Sequence, residues 1–153
     1  MSRYELLLFA HVLAASAWVG AALLSAVLIE LASRARDRAW IMRFGEFDDT
    51  LAKVLFIPAA LITLVAGIAL VFDGPWGFVD DGWVLAGLII FGAIFAVGLG
   101  AFLPTSKRLV ALGNSGAPQA EVDALLQRLR LLSWLDVALL ALAVFVMTVK
   151  PFS

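Results

Sequence analysis

WVLAGLIIFGAIFAVGLGAFL, residues 83–103, runs from Trp83 to Leu103 without one ionisable side chain. The hydrocarbon core of a bilayer is ~30 Å thick and takes about 20 residues of helix. No water reaches a backbone N–H or C=O there, so each must be paired inside the segment, and a helix does this. Three further stretches read the same way. Leu6–Leu31 contains only His11 and Glu30 as ionisable residues, Val54–Phe72 contains none, and Leu131–Val149 contains only Asp136. The chain is therefore expected to be all-α, a polytopic membrane protein built as a four-transmembrane-helix bundle. The spans are 6–31, 54–72, 83–103 and 131–149, within a single integral membrane domain over 1–153.

Composition points the same way. Hydrophobic residues make up 63% and charged residues 15%, against ~45–50% and ~25% in soluble domains. The first expected partner is thus the lipid bilayer. The chain has no cysteine, which excludes disulfides, thiolate metal sites and cysteine nucleophiles. It has one histidine, His11, so a multi-histidine metal site or a bis-histidine haem is excluded within one chain. No phosphate loop, nucleotide-binding glycine motif or serine triad is present.

The first stretch also carries Ala15-Ser16-Ala17, the shape of a signal-peptide cleavage site. Against that reading, the apolar run continues to Leu31 and the basic cluster lies beyond it rather than before it. Orientation follows from the basic residues. The segment between spans one and two carries Arg34, Arg36, Arg38, Arg43 and Lys53, and that between spans three and four carries Lys107, Arg108, Arg128 and Arg130. The segment between spans two and three has only Asp73, Asp80 and Asp81. Loops 32–53 and 104–130 are expected to be cytoplasmic, and loop 73–82 and both termini extracytoplasmic. The basic residues report topology, and no nucleic-acid partner is expected.

Loop 73–82 contains Asp73-Gly74-Pro75-Trp76-Gly77, a turn by its Pro and Gly chemistry, with Trp76, Phe78 and Trp83 as interfacial anchors. Its three carboxylates read as a solvated acidic turn or, less simply, a cation site. Trp40, Phe44, Phe47, Leu51 and Val54 recur at helical spacing. They predict that the second helix begins inside the cytoplasmic loop and lays this face on the bundle or the headgroups. The third helix is expected to continue past Pro104 toward Leu112, with a bend. Pro118 suits the first turn of a new helix, whose stripe is Val122, Leu125, Leu126 and Leu129. Small residues recur every four positions at Ala17, Ala21, Ser25, at Ala59, Thr63, Gly67, and at Gly92, Ala96, Gly100. Such faces let helices approach closely in lipid. They serve the bundle itself or a homodimer.

Ionisable residues inside a bilayer cost ~2.5–3.5 kcal/mol and are functional candidates. His11 lies ~8 Å below the outer surface by helical rise. It is either hydrogen-bonded to a neighbouring helix or headgroup, or a ligand to haem or copper. Gly67, Met147 and Thr148 fall near its depth, and Met147 is the candidate second ligand. Asp136, with Ser133 on its face, is either a proton or cation relay, or a carboxylate that pairs with Arg34, Lys107 or Arg130 or stays protonated. Glu30 is expected to pair with Arg34 at the inner boundary. His11 and Asp136 sit in opposite leaflets, ~10–15 Å apart in depth, so they form no catalytic pair.

Helix 1 reads His11-Val12-Leu13-Ala14-Ala15-Ser16-Ala17-Trp18-Val19-Gly20, followed by Arg34-Ala35-Arg36-Asp37. Later come Leu64-Val65-Ala66-Gly67-Ile68-Ala69-Leu70, Gly82-Trp83, Phe102-Leu103-Pro104 and Met147-Thr148-Val149-Lys150-Pro151. In this order they resemble the bacterial family of predicted integral membrane proteins called domain of unknown function 2269, over nearly the whole chain. The resemblance implies the fold and the bacterial inner membrane. The first helix is also similar to the copper-resistance D membrane proteins, with their histidine and tryptophan–glycine pair. It is similar too to the HemJ-type protoporphyrinogen oxidases, haem-binding bundles whose first-helix histidine corresponds to His11. The membrane lysine that follows a tryptophan in those oxidases is Gly87 here, and Met1, Met42 and Met147 are too scattered for a methionine-rich copper path. Three functional readings follow. The first is a non-catalytic membrane protein or membrane-complex partner. The second is a b-type haem or copper redox protein with His11 as ligand. The third is a small proton-coupled transporter using Asp136.

Overall fold

The computed structural model describes residues 2–35 and 37–151, so Arg36 of the basic cluster and the Met1 thioether lie outside the described residues. Among the described residues the chain is helical, with no strand. Four helices there are long and apolar enough to cross a membrane: α1 (Arg3–Ala35), α2 (Arg38–Asp73), α3 (Gly82–Asn114) and α4 (Gln119–Val149). The helices continue past the apolar spans into the polar residues that flank them, where local chemistry sets the ends. Ser2 and Glu5 form a reciprocal cap at the start of α1, with Ser2 N–H on the Glu5 carboxylate at 2.8 Å and Glu5 N–H on Ser2 Oγ at 3.2 Å. The Asp37 carboxylate accepts from the Ala39 and Trp40 N–H groups and starts α2. Pro118 precedes the first residue of α4, and Lys150 ends that helix in the left-handed conformation at φ 49°.

Two of the helices contain a widened π turn, Ala52–Phe56 in α2 and Gly98–Phe102 in α3. In each, an N–H reaches the carbonyl five residues back, Ile57 to Ala52 and Leu103 to Gly98. In each, a proline stands two residues after the last residue of the turn, Pro58 or Pro104. Proline lacks an N–H and crowds the carbonyl four residues earlier. A π turn absorbs that mismatch without breaking the helix. So α3 does extend beyond Pro104, and the distortion falls just before the proline.

The helices are arranged in the order α2–α1–α4–α3. The apolar part of α2, Ile57–Asp73, packs on α1, α1 packs on α4, and the Gly82–Val97 part of α3 packs on α4. Nowhere do Ile57–Asp73 and Gly82–Val97 bring Cα atoms within 8 Å of each other. The seam between α2 and α3 closes only near its ends. On the loop 73–82 side, Val71 of α2 joins Trp83, Val84 and Val146 in one apolar cluster. On the basic side, Arg38–Leu51 packs on Leu103–Asn114. Between them lies a cluster around Trp18, Ala59, Ala60, Ile94 and Leu140, with the Trp18 ring edge-on to Phe91 and Phe95.

The inner faces are made of small residues: Ala14, Ala21, Ala22, Ser25 and Ala26 of α1 are buried, as are Ala59, Ala60 and Ala66 of α2. Large apolar side chains such as Val65 and Ile89 point outward, each 64% exposed. That is the distribution expected where lipid is the solvent and close backbone approach holds the helices together. Helices α1 and α2 pack on one another, with Ala21 and Ser25 of the α1 stripe and Ala59 of the α2 stripe buried. The stripe on α3 does not: Gly92, Ala96 and Gly100 are exposed, and a Cβ at Gly92 or Gly100 would meet nothing within 4 Å.

The start of α2 lays only part of its apolar stripe on the bundle. The face read as apolar does not pack as a unit, for Phe47 is 47% and Val54 71% exposed. The buried face is Ile41, Phe44, Gly45 and Asp48. Two contacts set this rotation. Gly45 admits Val110 so closely that a Cβ would lie 2.7 Å from it, and Arg38 is anchored to the end of α3. Its guanidinium donates to the carbonyls of Leu112, Gly113 and Ala117 at 3.0, 3.3 and 2.9 Å. The stripe of α4 packs as expected, with Val122, Leu126 and Leu129 buried and Leu125 partly so.

Candidate functional site

The open seam between α2 and α3 holds a cavity of about 650 Å³, lined by residues of all four helices. Both π turns contribute to its wall, through Ala52, Lys53 and Phe56 on one side and Gly98, Leu99 and Phe102 on the other. Trp18 and Ala22 of α1 are among the residues that close its back. The walls are chiefly apolar and aromatic, whereas the polar residues come from the basic-loop half of the helices.

Asp48 is the most deeply buried of the charged residues among them. It is 5% exposed and accepts a hydrogen bond from Ser25 Oγ at 2.9 Å. Ser25 belongs to the apolar span of α1, so the carboxylate is drawn against a membrane helix. Asp136 lines the same cavity from α4, half-buried, beside the buried Ser133. Ser133 turns its hydroxyl to the Arg130 carbonyl at 2.9 Å. Among the described residues no ion pair includes Asp136. The pairing with Arg34, Lys107 or Arg130, one of the alternatives for this carboxylate, is not formed, because two of those bases are directed elsewhere. Arg34 binds Glu30 at 2.9 Å, one turn along α1, and Arg130 approaches the same carboxylate at 3.8 Å. Glu30 thus pairs with Arg34 as its spacing predicts. Lys53 is held by Asp49 on its own helix, and Lys107 lines the cavity exposed.

His11 lies outside this cavity, on the seam between α1 and α2. A carbonyl oxygen only accepts, so His11 Nδ1–H donates to the Thr63 carbonyl at 2.8 Å. The ring fits because position 67 has no side chain: a Cβ on Gly67 would lie 3.0 Å from His11 Cε1. The depth match of His11 and Gly67 is a real contact. Met147 faces a different seam. Its methyl group occupies the space a Cβ on Gly87 would need, and it packs with the Val71–Trp83 cluster. Met42 packs in the same way against Gly113.

On the loop 73–82 side the three carboxylates are divided. Asp73 pairs with Arg3 at 3.1 Å, and Asp81 accepts from the Gly77 N–H at 2.7 Å. Among the described residues no group of three His, Cys, Asp or Glu side chains is placed to hold a metal ion. The Lys150 ammonium lies over the rings of Trp76 and Trp83, 4.2 and 4.8 Å from their centroids. This ties the last turn of α4 to the interfacial aromatics.

Sequence reasoning brought Asp136 and Ser133 forward and missed their neighbours in the cavity, Asp48 above all. A signal was present: Ile41, Phe44, Gly45 and Asp48 share a helix face that includes a glycine. A family model described as "Predicted integral membrane protein (DUF2269)" matches residues 5–151. No curated protein and no solved structure matches the chain.

Proposed function

Since the chain belongs to the DUF2269 family of predicted integral membrane proteins, we propose that it is a non-catalytic bundle of the bacterial inner membrane that works as a subunit of a membrane complex, with a second copy of itself as the simplest partner. In this reading loops 32–53 and 104–130 are cytoplasmic, and loop 73–82 and both termini extracytoplasmic. The observation that carries it is the unused small-residue stripe on α3. Gly92, Ala96 and Gly100 are exposed with open space over both glycines, and a bilayer-facing stripe of this kind lets another helix approach closely. The chain has no cysteine, so Ala96→Cys introduces a single thiol. Mild oxidation in membranes is expected to give a disulfide-linked dimer for Ala96→Cys and none for Val65→Cys on the lipid-facing side of α2. Equal yields, or none from either, would remove the self-association.

Two other readings each have an observation in their favour. The cavity with its unpaired Asp136 favours a proton-coupled transporter; proton-driven uptake in liposomes that is indifferent to Asp136→Asn would end that residue's role. The His11–Thr63 bond favours a haem or copper ligand. Nδ1 donates to the Thr63 carbonyl and Nε2 has no hydrogen-bond partner among the described residues, the way a metal-binding histidine is commonly oriented. Met147, the other candidate ligand, packs against Gly87 in this arrangement. An absorption spectrum of protein from haem-supplied cells, with and without His11→Ala, tests it. A Soret band that persists unchanged in the mutant would exclude His11.

A further inference from the structure

We infer that the cavity between α2 and α3 is a binding site for a hydrophobic organic cation, entered sideways from the bilayer through the open seam. The inference rests on the transport reading of Asp136 and deepens it by naming the class of ligand. Three independent features converge on it.

The first is volume and access. At about 650 Å³ the cavity lies within the ~300–1,000 Å³ of sites that hold drug-sized molecules. It runs from the basic-loop end, at Glu46 and Lys107, to the apolar stretch at Ala60 and Ile94, where α2 and α3 do not pack on each other. A guest that partitions into lipid reaches it through that stretch, with its charge toward the basic-loop end where the carboxylates lie.

The second is charge. Glu46, Asp48, Asp49 and Asp136 line the cavity against Lys53 and Lys107. Lys53 is already bound to Asp49, and Asp48 has only a neutral partner, Ser25. Three carboxylates, Glu46, Asp48 and Asp136, therefore lack a cationic partner among the described residues, against one lysine of the lining, Lys107, that is in no ion pair there. An anionic guest would add to their repulsion, and a neutral one would leave them unanswered. A monocation answers them, because a charge of opposite sign in a low-dielectric site is attracted far more strongly than in water.

The third is the wall. Trp18, Phe56, Phe95 and Phe102 line the space, and aromatic faces attract organic cations through their quadrupoles. A metal ion would need several oxygen or nitrogen ligands on one point, and no such group of three exists among the described residues. Dispersed carboxylates behind aromatic walls suit a bulky cation whose charge is shielded by apolar substituents.

The test uses tetraphenylphosphonium and its anionic isostere tetraphenylborate with the purified full chain in detergent. The expected result is saturable binding of the phosphonium, no competition by the borate, and an affinity at least tenfold weaker in Asp136→Asn. Gly98→Leu supplies a second variant that does not disturb the carboxylates. Gly98 lines the cavity, and a Cβ there meets nothing within 4 Å, so the added side chain fills open space and is expected to abolish binding in a folded protein. Non-saturable binding to the wild type would overturn the inference. So would equal binding of the borate, which would mark the cavity as a berth for any apolar guest such as a lipid chain. An unchanged affinity in both variants would overturn it as well. Transport is read separately, in liposomes. Binding without proton-driven uptake keeps the site and removes the transporter, whereas uptake of another solute with no phosphonium binding removes the site as inferred.

Discussion

Replacing Arg38 tests how the two basic loops are held together. Its guanidinium donates to Leu112, Gly113 and Ala117. Leu112 and Gly113 lie in the last turn of α3, where carbonyls lack helical partners. Hydrogen bonds to a charged group contribute ~1.5–3 kcal/mol each. This site is half-buried, so water takes over part of the loss; two short bonds at the low end of that range give about 3 kcal/mol in total. The effect is local, at the Ser115 and Ala117 amides, which bond to Ala111 and Leu112 at 3.1 and 3.3 Å. With each 1.36 kcal/mol worth tenfold, Arg38→Ala should speed hydrogen exchange at these amides by roughly 100-fold. Arg38→Lys keeps the charge but loses the fork of donors. With one of the two short bonds kept, the loss is about 1.5 kcal/mol, and the amides should still exchange about 10-fold faster than wild type. The assay is hydrogen–deuterium exchange of the detergent-purified protein, read on a peptide covering 109–118. If Arg38→Ala exchanges within about threefold of wild type there, or if lysine restores full protection, the guanidinium does not anchor this end of α3.

Three further substitutions probe the close contacts. Gly67→Leu must displace the His11 ring and is expected to cost ~1–3 kcal/mol by overpacking, read as a lower midpoint in thermal unfolding followed by tryptophan fluorescence; an unchanged midpoint would show that α1 and α2 do not meet there. Asp37→Ala removes the acceptor of the Ala39 and Trp40 N–H groups and should lower stability by ~0.5–2 kcal/mol, with Asp37→Asn retaining most of it in the same assay. Gly87→Val competes with Met147 for one space and is expected to destabilise by ~1–3 kcal/mol; pairing it with Met147→Ala should recover part of the loss, and strict additivity would show that the two do not touch.

The membrane architecture was legible because its cause is local and strong. A run such as Trp83–Leu103 admits one stable structure in lipid, and composition alone reveals it. The pairing of Glu30 with Arg34 was legible too, since helical spacing fixes it. What was not legible depended on which face a helix turns to its neighbours. At the start of α2, Trp40, Phe44, Phe47 and Leu51 make an apolar stripe that suits a packed face. Near a bilayer, large apolar residues are as stable pointing outward, and the glycine at 45 and the anchor at Arg38 decide the rotation. Asp48 was hidden by the same ambiguity, being one of two adjacent carboxylates in a polar run. Arg38 counted only as a charge, although its geometry ties two loops. The outward turn of Gly92, Ala96 and Gly100 follows from the order of helices, which the spans do not specify.

The most direct measurement is cysteine accessibility, for which the cysteine-free chain is well suited. Val79→Cys lies in loop 73–82, where Val79 is 78% exposed, and Ser115→Cys lies between α3 and α4. A membrane-impermeant maleimide applied to intact cells is expected to label Val79→Cys, and to label Ser115→Cys only after permeabilisation. Labelling of both in intact cells would contradict a chain that crosses the membrane between these positions, and the reverse pattern would contradict the proposed orientation.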